Sequence, residues 1–140
     1  MGCDADANMD DDDSISWYQE PMVIVEVMRA KASETGFAGV SGNGSIQRLT
    51  VHGHAGYARS GEDIVCAAAS AIIYTTAGAL EILCGVNDSC EVEKDGFFEI
   101  TLPANEDIST VHRADIIMET AYIGFKQIES SYPGFLKVSE

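Results

Sequence analysis

The sequence predicts an α+β fold: a two-layer sandwich in β-β-α-β-β-α order, with two helices packed on one face of a mixed or antiparallel sheet. Three observations predict it. Residues 22–29 and 90–102 alternate apolar with polar side chains, the period of a strand. An apolar, alanine-rich run extends from Glu62 to about Gly85. A stripe of helical period then runs between Glu106 and Ser131.

Each element follows from its residues. In "MVIVEVMR" valines at 23, 25 and 27 alternate with Ile24, Glu26 and Met28, which fits a first strand buried on one face. "SETG" turns the chain, and the glycine-rich "FAGVSGNGS" (37–45) is expected to give a short strand and a turn. "IQRLTVH" (46–52) is extended, and His52 completes that strand. The run from Glu62 is a buried helix. Ser60 and Asp63 are spaced as a capping box at its start, and Gly85 stops it. It is long enough for a membrane span. Polar interruptions at Ser70, Tyr74, Thr75, Thr76 and Glu81, and the lack of a basic flank, favour a soluble core helix. "SCEVEKDGFFEITLP" reads as a hairpin, with Asp95-Gly96 in its two-residue turn and Pro103 at its end. In the last helix Val111, Ala114, Met118, Ala121, Phe125 and Ile128 form the core stripe, and Glu106 and Asp107 suit its N-terminus. His112 falls on this helix in a structural or exposed position.

At 140 residues the chain favours one domain with its own core. Its net charge of −15 is unusual. An acidic surface repels phosphate backbones, which argues against direct nucleic-acid binding, and attracts basic proteins. Residues 1–21 carry an aspartate block and no Lys or Arg. They read as a disordered acidic extension or a cloning scar, with no secretory signal; residues 22–140 read as the folded domain. Of Cys3, Cys66, Cys84 and Cys90, only the last two lie close enough in sequence for an unforced disulfide. Reduced thiols in a cytoplasm are expected, and the Cys and His spacings offer no zinc site.

The chemistry concentrates in "GHAGYARSGEDIVCAAAS" (53–70). Cys66 falls near the predicted helix start, where the helix dipole favours a thiolate. His54 lies 12 residues upstream across a loop whose glycines permit it to fold back and supply a base. Asp63, Cys66 and Ser70 share one helical face. A carboxylate beside a thiol opposes the thiolate, so Asp63 has to cap the helix or hold the imidazole. Ser70 is placed to bond substrate or the preceding turn. Backbone amides at the helix head are candidate oxyanion donors. A cysteine in an apolar helix is ordinarily inert core, and a loop histidine ordinarily only polar. A non-catalytic interaction module, binding a ribosomal protein or an assembly factor, and a redox-sensing thiol are therefore alternatives.

"GHAGYARSGEDIVCAAASAIIYTTAGALE" closely resembles the signature segment of the ribosomal-processing cysteine proteases, the Prp family, including the His-to-Cys interval. The resemblance covers about residues 22–131; residues 1–21 are extra and 37–50 longer than usual. It implies a cysteine endopeptidase with Cys66 as nucleophile and His54 as general base. Supporting roles are implied for Asp63, and for Gly53 and Ser70 toward substrate. No metal or organic cofactor is implied. The implied substrate is the N-terminal extension of bacterial large-subunit ribosomal protein L-twenty-seven, and the implied assembly is a homodimer.

Overall fold

A computed structural model describes residues 22–32, 37–53, 63–86, 91–94, 96–104 and 107–140. The expected "SETG" turn (33–36) and the acidic residues 1–21 lie outside them. The elements run β1 (Val23–Ala30), β2 (Ser45–Gly53), α1 (Ile64–Cys84), β3 (Glu91–Lys94), β4 (Phe97–Thr101), α2 (Ile108–Ser131) and β5 (Leu136–Ser139). The five strands form one mixed sheet in the order β3-β4-β2-β1-β5. β1–β2, β2–β4 and β3–β4 are antiparallel, and β1–β5 is parallel.

The predicted two-layer α+β arrangement is present, with a fifth strand added. β5 closes the sheet edge beside β1, where the backbone N–H of Val23 also donates to the Phe135 carbonyl at 3.0 Å. A parallel pair cannot be joined by a tight hairpin, so the chain crosses the sheet through α2 before β5 forms. The short strand expected within 37–45 is absent. Gly39, Gly42 and Gly44 there have φ of 82°, 82° and 92°, and the Gly42 N–H donates to the Gly39 carbonyl, so the segment turns instead of extending.

One core joins the layers. The strand register aligns buried side chains in rows: Val27 opposite Leu49, which faces Ile100, and Val25 opposite Val51, which faces Phe98. Above these rows sit Val65, Ala69, Ile73 and Leu80 of α1 and Met118, Ala121 and Phe125 of α2, all buried. The predicted stripe is therefore core, except that Val111 at its N-terminal end is only half-buried. α1 and α2 pack on each other, and α2 packs on β2 and β5. By length and composition α1 would suffice to cross a membrane, yet its inner side lies in this core. The 95–96 turn has the expected two-residue spacing, with Lys94 paired to Phe97 and Gly96 at φ 80°. Cys84 is a thiol without a disulfide, which removes the Cys84–Cys90 bridge.

Candidate active site at the head of α1

Two elements converge on the Gly53–Ser70 segment. β2 ends at Gly53, paired with Val23 and at φ 96°. A Cβ placed there would lie 2.3 Å from the Met22 carbonyl oxygen, so both the backbone angle and the close approach of β1 require glycine. The chain re-enters the described residues at Asp63, the N-cap of α1, in an extended conformation (φ −85°, ψ 102°). Residues 54–62 lie outside, and with them His54 and its position relative to Cys66.

Asp63 is 4% exposed. Its Oδ1 accepts from the backbone N–H groups of Val65 and Cys66, each at 3.0 Å. Its carbonyl accepts the first helical bond, from the Ala67 N–H at 3.0 Å. This satisfies donors that a helix start otherwise leaves orphaned. Two expectations change accordingly. The cap is Asp63 alone, three residues beyond Ser60, so the Ser60–Asp63 capping box does not form as such. The amides of Val65, Cys66 and Ala67 all donate to Asp63, so they are not open to a substrate oxyanion.

Cys66 stands on the third residue of α1, in its first turn, with its thiol packed into the core at 1% exposure. Its neighbours Val65 and Ala69 are fully buried, whereas Ala67 is exposed. Ser70, one turn further on, is half-buried. The shared face predicted for Asp63, Cys66 and Ser70 therefore runs along the inner edge of the helix. α1 carries no acidic side chain in its first turn, so the cap carboxylate is the negative group of the helix itself that stands closest to the thiol. Among the described residues, no group of three or more His, Cys, Asp or Glu side chains could hold a metal ion. His52 lies on β2, stacked on Phe97 with ring centroids 6.2 Å apart, and His112 is exposed and stacked on Phe37 at 4.7 Å. Both thus have the bland roles expected of them.

The apolar-stripe reading passed over two acids on the inner side of α2. Asp115 and Glu119 are buried directly after the core positions Ala114 and Met118. Their only signal in the sequence is adjacency to that stripe, at i+1 from two of its members.

Residues 37–137 match the family model described as cysteine protease Prp. The ribosomal processing cysteine protease Prp of Bacillus subtilis (strain 168) is 28% identical over 95 residues, which cover 67% of this chain and 85% of that protein. Its counterpart in Staphylococcus aureus (strain NCTC 8325 / PS 47) is 27% identical over 95 residues, 66% of this chain and 85% of that protein. Among solved structures, the essential ribosomal processing protease Prp from S. aureus, bound to a covalently linked product peptide, shares the fold. Its TM-score is 0.67 at 23% identity, covering 84% of this chain and 98% of that one. A structure from Streptococcus mutans superposes with a TM-score of 0.63 at 25% identity, covering 84% of this chain and 92% of that one. The matched span contains the end of β2, the capped helix head and Cys66, and on that ground the chain belongs to the Prp family of cysteine proteases.

Proposed function

We propose that Cys66 is the nucleophile of this protease and His54 its general base. The observation that carries the reading is the placement of Cys66 in the first turn of a helix whose N-terminus is capped by Asp63, at the interval from His54 that the family pattern requires. A thiol there feels the positive end of the helix dipole. His54 takes the thiol proton, and the thiolate attacks the scissile carbonyl carbon. The imidazolium returns the proton to the leaving amine as the C–N bond breaks. Water, deprotonated by the same imidazole, then cleaves the thioester and frees the new carboxyl end. The oxyanion draws its hydrogen bonds from donors other than the three amides held by Asp63. Gly53 fixes the direction in which the chain leaves β2 toward His54, and Ser70 lines the approach to the thiol.

The proposed substrate is the N-terminal extension of the large-subunit ribosomal protein L-twenty-seven. Relatives named for ribosomal processing, one of them crystallised with a substrate peptide, support a peptide of this kind. A basic ribosomal protein also suits a chain of net charge −15 better than RNA does. The proposed setting is the cytoplasm, and the proposed assembly is a homodimer. The test mixes the full chain with an extended precursor and follows its mass. Cleavage by the wild type, lost in both Cys66→Ala and His54→Ala with unchanged circular dichroism, is the expected result. Cleavage surviving either substitution overturns the dyad, and a precursor left intact by the wild type overturns the substrate.

A further inference from the structure

A second cavity lies at the far end of the molecule from Cys66. It has a volume of about 340 Å³, within the size range of small-molecule sites. Val86, just beyond the C-terminus of α1, is part of its wall. The 18 residues of α1 between Cys66 and Cys84 span about 27 Å at 1.5 Å each. The cavity is therefore no extension of the thiol site. Phe37, Val86, Leu102 and Val111 make its walls apolar, and Asp115 of α2 lies at its inner side.

Asp115 is the anomaly. It is 1% exposed. Its Oδ2 accepts from the Val40 N–H at 2.6 Å, whereas its Oδ1 is shielded from water and has no hydrogen-bond partner. A buried acceptor left unmet costs stability, and a buried carboxylate without a counter-ion costs more. The nearby cation does not serve it. Arg29 directs its guanidinium to Glu119 and Glu140, with Nη1 also donating to the Gly44 carbonyl. No Lys, Arg or His lines the cavity among the described residues. Burial raises the Asp115 pKa; the Val40 N–H opposes that shift and the like charge of Glu119 adds to it. The space thus has apolar walls, one acceptor short of a donor, and a negative surrounding field.

We infer that this cavity seats a cation on a short apolar stem, an alkylammonium or alkylguanidinium, with Asp115 as its counter-ion. Such a group gives Oδ1 a charge-assisted hydrogen bond and lays its methylenes against Phe37 and Leu102. An anion is excluded by the field, and a neutral apolar molecule leaves Oδ1 unmet. The chemistry has two sources, a free amine or the lysine or arginine side chain of a polypeptide. The inference stands apart from the assignment of Cys66 and His54.

The test titrates the isotope-labelled full chain with n-butylammonium, n-butanol and butyrate while recording amide and methyl resonances. Saturable shifts at Val40, Val111 and Ala114 with butylammonium alone are expected. Asp115→Asn should weaken that binding at least about tenfold, the scale of one charged hydrogen bond. Ala104→Phe, which narrows the exposed rim and leaves Asp115 in place, should also weaken it and keeps the question decidable if Asp115→Asn does not fold. Equal shifts with butanol, shifts indifferent to either substitution, or no saturable shift would overturn the inference. An acetylated Ala-Lys-Ala amide then separates the sources. Tighter binding than butylammonium identifies a polypeptide side chain, and weaker binding a free amine.

Discussion

At the scale of single residues, Asp63 holds the chemistry and the fold in one carboxylate. It organises the first turn of α1 through two amides, one of them that of Cys66 itself. The two roles the sequence leaves open for it, cap and partner of His54, make different demands. Capping needs only a side-chain oxygen, whereas orienting a protonated imidazole needs a charge. Asp63→Ala should therefore lower stability by about 1 kcal/mol, the usual worth of an N-cap, read as a fall in Tm. Asp63→Asn should keep Tm near that of the wild type. If the carboxylate also orients the base, Asp63→Asn lowers kcat with little change in KM. An unchanged kcat in a stable Asp63→Asn variant would leave capping as its role. The position of the cap was legible in the sequence, because Asp three residues before Cys66 has few other uses at a helix start. The burial of the thiol was not, because helical spacing places Cys66 on a face without saying how closely the sheet covers it.

At the scale of elements, the strands and helices with strong periods were legible, and those defined by distant partners were not. β1, β2, the hairpin and both helices announce themselves through alternation, a turn dipeptide or a long stripe. β5 has four residues, and its partner β1 lies more than a hundred residues away, so nothing local distinguishes "LKVS" from a tail. The segment 37–45 failed in the opposite sense: its apolar residues suggested a strand, but its positive-φ glycines turn the chain. Carboxylates hold β5 and the chain end in place. Glu129 of α2 accepts from the Val138 N–H at 3.0 Å. Glu140 accepts from the Tyr122 hydroxyl at 2.8 Å and from Arg29 Nε at 3.0 Å. The Val138 amide, then Lys126, holds the Glu129 pKa below the ordinary glutamate value, and Tyr122, then Arg29, does the same for Glu140. A lowered carboxyl pKa contributes stability that is present above the unfolded value and fades as pH falls through the folded one. Acid should therefore loosen this edge. The Val138 amide resonance is expected to titrate with a midpoint below the ordinary glutamate pKa, and to lose that titration in Glu129→Gln. A midpoint at or above the ordinary value would remove Glu129 from the clasp.

At the scale of the whole molecule, family membership sets aside the reading of a non-catalytic module, while charge and surface shape bear on the assembly. Between α1 and α2, on the side away from the sheet, runs a groove of about 780 Å³ lined by small and apolar residues, among them Ala68, Ala71, Ile72, Ile123 and Gly124. No charged residue lines it among the described residues. In a chain of net charge −15, this is where a second copy approaches with least repulsion. Close backbone approach needs small residues, and a two-fold interface needs one self-complementary face. The groove supports the proposed homodimer on both counts. Ile123, 54% exposed at its rim, offers the test. Ile123→Glu should convert a dimer to a monomer in light scattering and leave circular dichroism unchanged. A dimer of undiminished stability would place the interface elsewhere.

The contact between Gly53 and the Met22 carbonyl changes what the Gly-His pair can signify. Position 53 is closed to every side chain by the neighbouring strand, whatever the protein does with the histidine that follows. Half of the most recognisable dipeptide in the motif therefore carries information about backbone packing and none about proteolysis. A relative that had lost its thiol and its activity would still need this glycine to keep its sheet, so a family resemblance resting on it identifies an ancestor before it identifies an enzyme.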